Sequence, residues 1–345
     1  MHEPKLSGFG GFKPIHFIIP VLLGIAAVAW MFADEFANFS LSAIPFTTRT
    51  AVCLIVVIAM VVLREFGMTW RYRAITDSDL SWRRALRVCL MCEFTSALTP
   101  SAVGGSSVAM VFMNMQGINF GRATTLMIVT LFLDELFFVL SCPLVAVFTP
   151  IDSLFGSTLS TQFSVGIQWV FWGIYSAIAL WTAILFVGIM IKPSLIKRPL
   201  VAIFSLPLLR RWKPSVEKMT DNMVAASRDL RTRTLGWWLR AFAGTVLLWV
   251  PRYLLVVALF WGLLPGSDLW LVFARQAVVW LVLMVCPTPG GSGLGEWLFT
   301  LYYADMIPIA TLAMVIMLLW RIVSYYAYLI IGITLVPLWL RNKKK

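Results

Sequence analysis

Five ionisable residues, Glu93, Asp134, Glu135, Arg252 and Arg321, stand inside long apolar runs, and a sixth, Glu296, follows a glycine-rich break in another. A charge held in hydrocarbon costs on the order of 3 kcal/mol unless it is paired or hydrated. Such residues therefore either fasten helices as buried ion pairs or line a polar track for a charged cargo. Both readings stay open at the level of sequence. Other chemistry finds little to work with. The only histidines are His2 and His16, so neither a His-built metal site nor a catalytic triad can be assembled. The five cysteines, Cys53, Cys89, Cys92, Cys142 and Cys286, lie in apolar runs, and the Cys89–Cys92 CxxC spacing reads as packing. No cofactor and no metal are expected.

Two interruptions carry the remaining signal. One is Phe94–Gly105, containing Thr99, Pro100, Gly104 and Gly105 and running on into Ser106 and Ser107. The other is Cys286–Glu296, containing Thr288, Pro289, Gly290, Gly291, Ser292 and Gly293. Pro removes a helical hydrogen bond and Gly weakens the helix, so both stretches should unwind. In lipid, unwound backbone has to be buried in protein or face a water-filled cavity. Ser106, Ser107 and Ser292 precede apolar stretches and read as N-caps. The half-helices they open would turn unpaired amides and positive dipole ends toward a phosphate or carboxylate. Glu296 reads equally as a cap satisfied by those amides or as a ligand, and Glu93, one turn before the first break, is similarly ambiguous.

These stretches need a membrane around them. With 60% apolar residues and 13% charged, the 345-residue chain cannot cover a soluble globule, and its mean hydropathy is +0.86. Sixteen Trp and twenty-four Phe suit aromatic belts at two interfaces. The formal charge of +12 reports basic loops and anionic lipid rather than nucleic acid.

The reading is an all-α integral membrane protein: a polytopic bundle of about six full spans and two re-entrant helical hairpins related as inverted repeats. It forms one domain over residues 1–345, with a first half at 15–191, an amphipathic connection at 192–234 and a second half at 235–340. Spans are predicted at 15–33, 46–63, 122–148, 168–191, 235–264 and in the final segment. The stretch after 63, with Arg64, Arg71, Arg73, Arg83, Arg84 and Arg87, is assigned to a cytoplasmic loop. The connection, rich in Lys and Arg, falls on the same side, so both termini are cytoplasmic and residues 149–163 external. Each break-bearing segment then begins and ends on one side. Flanks of ten to seventeen residues reach roughly 15 to 25 Å, short of a ~30 Å crossing, which favours hairpins over paired spans. Laying Gly104-Gly105 on Gly290-Gly291 brings Glu135 and Arg321 to matching positions with opposite charge. That register predicts that they pair.

Thr99-Pro-Ser-Ala-Val-Gly-Gly105 and Pro289-Gly-Gly-Ser-Gly-Leu-Gly-Glu296 resemble two signatures of the lysylphosphatidylglycerol synthase transmembrane, or flippase-like, family, the second being the more specific. The resemblance covers residues 15–340 and implies a bundle with two re-entrant elements that moves a lipid between leaflets of the cell membrane. It implies membrane lipids with anionic head groups as partners, and leaves a homodimer and a lipid-modifying enzyme as candidates. Fused relatives carry an aminoacyl transferase domain after the last span. This chain ends at Lys345, so the expectation is a stand-alone member that is not an enzyme. The alternatives are a transferase acting on a lipid substrate, with Glu93 and Glu296 as its carboxylates, and a membrane scaffold. No nucleotide-binding P-loop is present, so uphill transport would draw on an ion gradient or a partner.

Overall fold

The computed structural model describes residues 47–99, 103–156, 161–188 and 213–342, together with 198, 201–202, 204–205 and 211. The span expected at 15–33, Pro100, and most of the 192–212 connection lie outside the described residues. The rest is helical. The order is α1 (Thr48–Ile75), α2 (Trp82–Leu98), α3 (Val103–Met115), α4 (Phe120–Phe148), α5 (Ile151–Phe155), α6 (Thr161–Phe186), α7 (Lys213–Leu230), α8 (Leu235–Leu263), α9 (Leu269–Leu283), α10 (Leu294–Tyr302) and α11 (Ala310–Arg321). A π-helical turn (Ile322–Tyr326) then leads into α12 (Ala327–Asn342). Five of these stretches are long and apolar enough to cross a membrane: α1, α4, α6, α8, and α11 continued through the π turn to Thr334. They correspond to the other five of the six predicted spans.

The first correction concerns α1. Thr47 starts it with a capping box, its side chain accepting from the Thr50 amide. Nothing breaks the helix at Leu63; it runs 28 residues, roughly 42 Å, to Ile75. Arg64 and Arg71 are consequently not loop residues. They lie on the buried face with Gly67, Met68, Tyr72 and Ile75, at helical spacing, and each guanidinium is almost wholly enclosed. Arg73 lies in the last turn of α1 and Arg83, Arg84 and Arg87 lie on α2, so the connection between the two helices, residues 76–81, carries Asp77 and Asp79 and no basic residue.

Helices α1 and α8 form the central seam. A Cβ at Gly67 would strike Leu247, one at Gly244 the backbone of Arg71, and one at Gly262 the side chain of Cys53, whose thiol donates to the Ala258 carbonyl at 3.1 Å. Numbers rise along one helix as they fall along the other, so the two run antiparallel with glycines at the closest approaches. The elements also recur. Thr48 and Leu235 open α1 and α8, 187 residues apart; Trp82 and Leu269 open α2 and α9, again 187 apart; Gly104 and Gly290 are 186 apart. Each half is a long helix, a hairpin of short helices and another long helix, and the two are inserted in opposite senses.

The hairpins are as short as predicted: 17 and 13 residues for α2 and α3, 15 and 9 for α9 and α10. One end of the bundle is basic. There Arg122 and Arg233 converge on Asp77, Arg122 also reaches Asp79, and the Trp237 indole donates to Asp77. Burial works against the charged form of Arg233, and the bonds and charges of Asp77 and Asp229 together outweigh it, raising the affinity of the guanidinium for its proton. At the other end, Arg275 on α9 holds Asp305 and the Ser153 carbonyl.

Candidate functional site

The second break explains its own glycines. Gly290, Gly291 and Gly293 have φ of +57°, +69° and +80°, the left-handed region that other residues avoid. Gly290 also has no room for a Cβ, which would enter the Tyr325 ring and come within 2.9 Å of the Ala97 carbonyl. Its amide donates to the Thr99 carbonyl at 3.3 Å, so the tips of the two hairpins meet through backbone at one point. The first break is tighter than predicted: α2 ends at Leu98, Thr99 is extended, and α3 is already helical at Val103.

Two capping assignments are therefore corrected. Gly104, Gly105, Ser106 and Ser107 lie in the opening turns of α3, past any N-cap position. On α10 the N-cap is Gly293, with no side-chain cap; Ser292 stands one residue earlier, buried, its hydroxyl without a hydrogen-bond partner among the described residues.

Above the meeting point of the tips lies a cavity of about 470 Å³, walled by α1, α2, α4, α6, α8, α9, the second break and the π turn. It gathers Thr99, Glu93, Asp134, Glu135, Gly290, Gly291, Arg252 and Arg321 from the sequence-predicted set. Thr288, Pro289, Gly293 and Glu296 are not on its wall. Thr288 instead contacts the Cys286 thiol, and Glu296 lies behind, wholly buried.

The predicted pairing of Glu135 with Arg321 is overturned. The Arg321 Nε donates to Glu296 at 2.6 Å, and both terminal nitrogens reach the Gly290 carbonyl at 3.3 Å. Glu296 is thus paired through Oε1 with a guanidinium from the next helix rather than with amides of its own, and its Oε2 is buried without a hydrogen-bond partner among the described residues. Matching registers place residues at equivalent positions in the two halves, and equivalent positions need not be neighbours. The partner of Asp134 is Arg71, at 2.5 Å, with the Trp249 indole donating to the same oxygen at 2.9 Å. Glu93 takes two guanidiniums, Arg64 on one oxygen and Arg252 at 3.0 Å on the other. Arg252 lies between the Trp249 and Trp280 rings, 4.6 and 4.7 Å from their centroids. Arg64 also donates to the Tyr328 hydroxyl, which donates to Glu65; Cys89 donates to the other Glu65 oxygen.

Sequence reasoning missed Arg64, Glu65, Arg71 and Arg275, three of them because the span was ended at the first charge. The periodicity through 64, 67, 68, 71, 72 and 75 was the available signal.

Not every polar atom is satisfied. Arg71 Nε, Arg252 Nε, the Trp280 indole and the Ser324 hydroxyl are buried without a hydrogen-bond partner among the described residues, and so is Oε2 of Glu135. All five residues line the cavity. Four are donors and one is an acceptor. Buried polar groups without partners are costly, so a wall that collects them is shaped for a polar guest.

The Lysylphosphatidylglycerol synthase TM region model matches residues 17–332, nearly the whole bundle. The chain belongs to this family. A membrane protein of Archaeoglobus fulgidus described as a UPF0104 membrane protein is 23% identical over 328 residues, covering 91% of this chain and 94% of its relative. No solved structure matches the chain. The family model takes in both breaks and all six cavity-lining members of the acidic and basic set, Arg71, Glu93, Asp134, Glu135, Arg252 and Arg321.

Proposed function

We propose that this protein moves an anionic phospholipid, or a lipid-linked molecule with an anionic head group, between the leaflets of the cell membrane, with its basic end facing the cytoplasm. The observation that carries the reading is the excess of unpartnered donors on the cavity wall: two guanidinium Nε atoms, an indole and a hydroxyl around 470 Å³ of interior space. A phosphodiester offers acceptors for these donors, and Arg252, already flanked by two indoles, offers a charge of the right sign. The seam supports the same reading, since antiparallel halves whose hairpins meet at their tips can open to one face or the other around a fixed site. Ion pairs engage the other charges on the wall except Glu135, so a passing head group meets donors and a single unpaired carboxyl.

The test is transport by the purified chain in vesicles of phosphatidylcholine doped with fluorescent phosphatidylglycerol, read by dithionite quenching of the outer leaflet. Parent protein should equilibrate the labelled lipid at least tenfold faster than empty vesicles, and Arg252→Gln should return the rate to background while the protein still inserts. Equal rates for protein-containing and empty vesicles would refute the proposal.

A further inference from the structure

We propose that Glu135 is a proton site linked to occupancy of the cavity, so that binding of an anionic phosphodiester head group takes up one proton from solution onto this carboxyl. The inference rests on the lipid-transport reading above and adds what accompanies the lipid.

The argument starts from the charges around the cavity. Asp134, adjacent to Glu135 on α4, is held by Arg71 of α1 and by the Trp249 indole. Glu93 of α2 is held by Arg64 of α1 and Arg252 of α8. Arg321 of α11 is held by Glu296. The remaining titratable groups on the wall, Tyr72 of α1, Cys92 of α2 and Tyr325 of the π turn, are neutral in their ordinary forms, and the walls from α6 and α9 present Trp181 and Trp280. Every guanidinium on the wall is thus engaged by another carboxylate. Glu135 has no ion-pair partner among the described residues; the Trp181 indole of α6 bonds its carboxyl, and its Oε2 is buried without a hydrogen-bond partner.

An ionised carboxylate so placed is tolerable only while the cavity holds water or a cation. When a phosphodiester meets the donors of this wall, two negative charges share one low-dielectric space. Protonating Glu135 removes that repulsion, and the new O–H adds another donor to a wall of donors. The proton comes from the aqueous buffer, adds to Oε2 and leaves with the cargo. By reciprocity, lipid binding raises the carboxyl's proton affinity, and acid strengthens lipid binding.

The experiment is calorimetric titration of the full chain in detergent with short-chain phosphatidylglycerol, in two buffers of different ionisation enthalpy, across roughly pH 5 to 9. Two parallel arms use short-chain phosphatidylcholine and dimethyl phosphate, the diester without acyl chains. The expected result is about one proton taken up per phosphatidylglycerol, with affinity strengthening by up to about tenfold for each unit the pH falls through the titration. In Glu135→Gln, or in Glu135→Ala should the first not fold, the proton count should drop to zero and the affinity should lose its pH dependence. Phosphatidylcholine and dimethyl phosphate should bind at least tenfold more weakly.

Zero protons in the parent, with phosphatidylglycerol bound, overturns the inference and leaves the transport reading intact. An unchanged proton count in the Glu135 variants overturns it as well. Loss of binding in both variants would show that the ionised carboxylate itself holds the glycerol hydroxyls of the head group, and again defeats it. Dimethyl phosphate binding as well as the lipid would move the site to a soluble diester. Failure of phosphatidylglycerol to bind at any pH takes down the transport reading and this inference with it.

Discussion

Arg275 and Arg252 are both buried arginines facing carboxylates within the second half, and their surroundings could hardly differ more. Arg275 donates from all three nitrogens: to both oxygens of Asp305 at 2.5 and 2.7 Å, to the Tyr302 carbonyl at 2.9 Å, and twice to the Ser153 carbonyl. Arg252 has one bond to Glu93, two indole faces and a free Nε. The first ties α9 to the end of α10 and to α5, leaving its guanidinium no further capacity. The second keeps capacity in reserve beside a cavity. A buried ion pair by itself is weak evidence for either stability or function; the number of bonds left unmade distinguishes a fastening from a site.

The comparison can be broken most directly at the fastening. Arg275→Gln removes a bidentate partner and leaves Asp305 facing the Ser153 carbonyl, costing about 3–5 kcal/mol, the range for breaking a buried pair. Thermal unfolding in detergent should show a lowered transition, and any residual folded protein should still transport lipid. A parent-like transition would mean that the Arg275 bonds carry no net stability.

A smaller effect is expected where the hairpin tips meet. Gly290→Ala forces a left-handed residue and a Cβ against Tyr325, costing about 1–3 kcal/mol. It should also separate the Gly290 amide from Thr99 and abolish transport in protein that still inserts. Normal transport in this variant would show that contact between the tips is dispensable.

The smallest stability change belongs to the cavity wall. Ser324→Ala deletes a buried hydroxyl with no hydrogen-bond partner among the described residues, so the melting transition should stay level or rise slightly. Affinity for short-chain phosphatidylglycerol should fall by about 1 kcal/mol, near fivefold. A destabilised protein with unchanged lipid affinity would place Ser324 with Arg275, among the fastenings.

The contrast also measures what could be read from the chain before its fold. Spans, hairpins and the opposed halves were legible because hydrophobic length, Gly-Pro punctuation and loop charge are local signals. Five of the six charged residues predicted from apolar context reached the cavity wall for the same reason: an isolated charge in an apolar run has to face something polar. Partner identity was not legible. Asp134 meets Arg71, 63 residues away, and Glu93 meets Arg252, 159 residues away, and such separations are set by how helices pack. Arg64 and Arg71 were misplaced because hydropathy drops at a charge whether or not the helix ends there. The serines were misread as caps because a helix start depends on backbone angles that neighbouring glycines alter.

The π turn at Ile322–Tyr326 follows Arg321 directly and carries Ser324 and Tyr325 to the cavity, whereas α4, the corresponding helix of the first half, continues as unbroken α-helix. A π turn holds one extra residue within its hydrogen-bonded circuit, so it can slide or relax at less cost than the α-helix around it. The two halves are therefore relaxed by different devices, a π turn in one and Pro143 within α4 in the other. In the transport cycle proposed above, the motion that uncovers the cavity toward one leaflet then differs from the motion that uncovers it toward the other, and the two exposed forms differ in free energy before any lipid arrives. This inequality cannot pump, since an equilibrium preference performs no work. It does decide which leaflet the empty protein samples first, and so which lipid pool sets the rate.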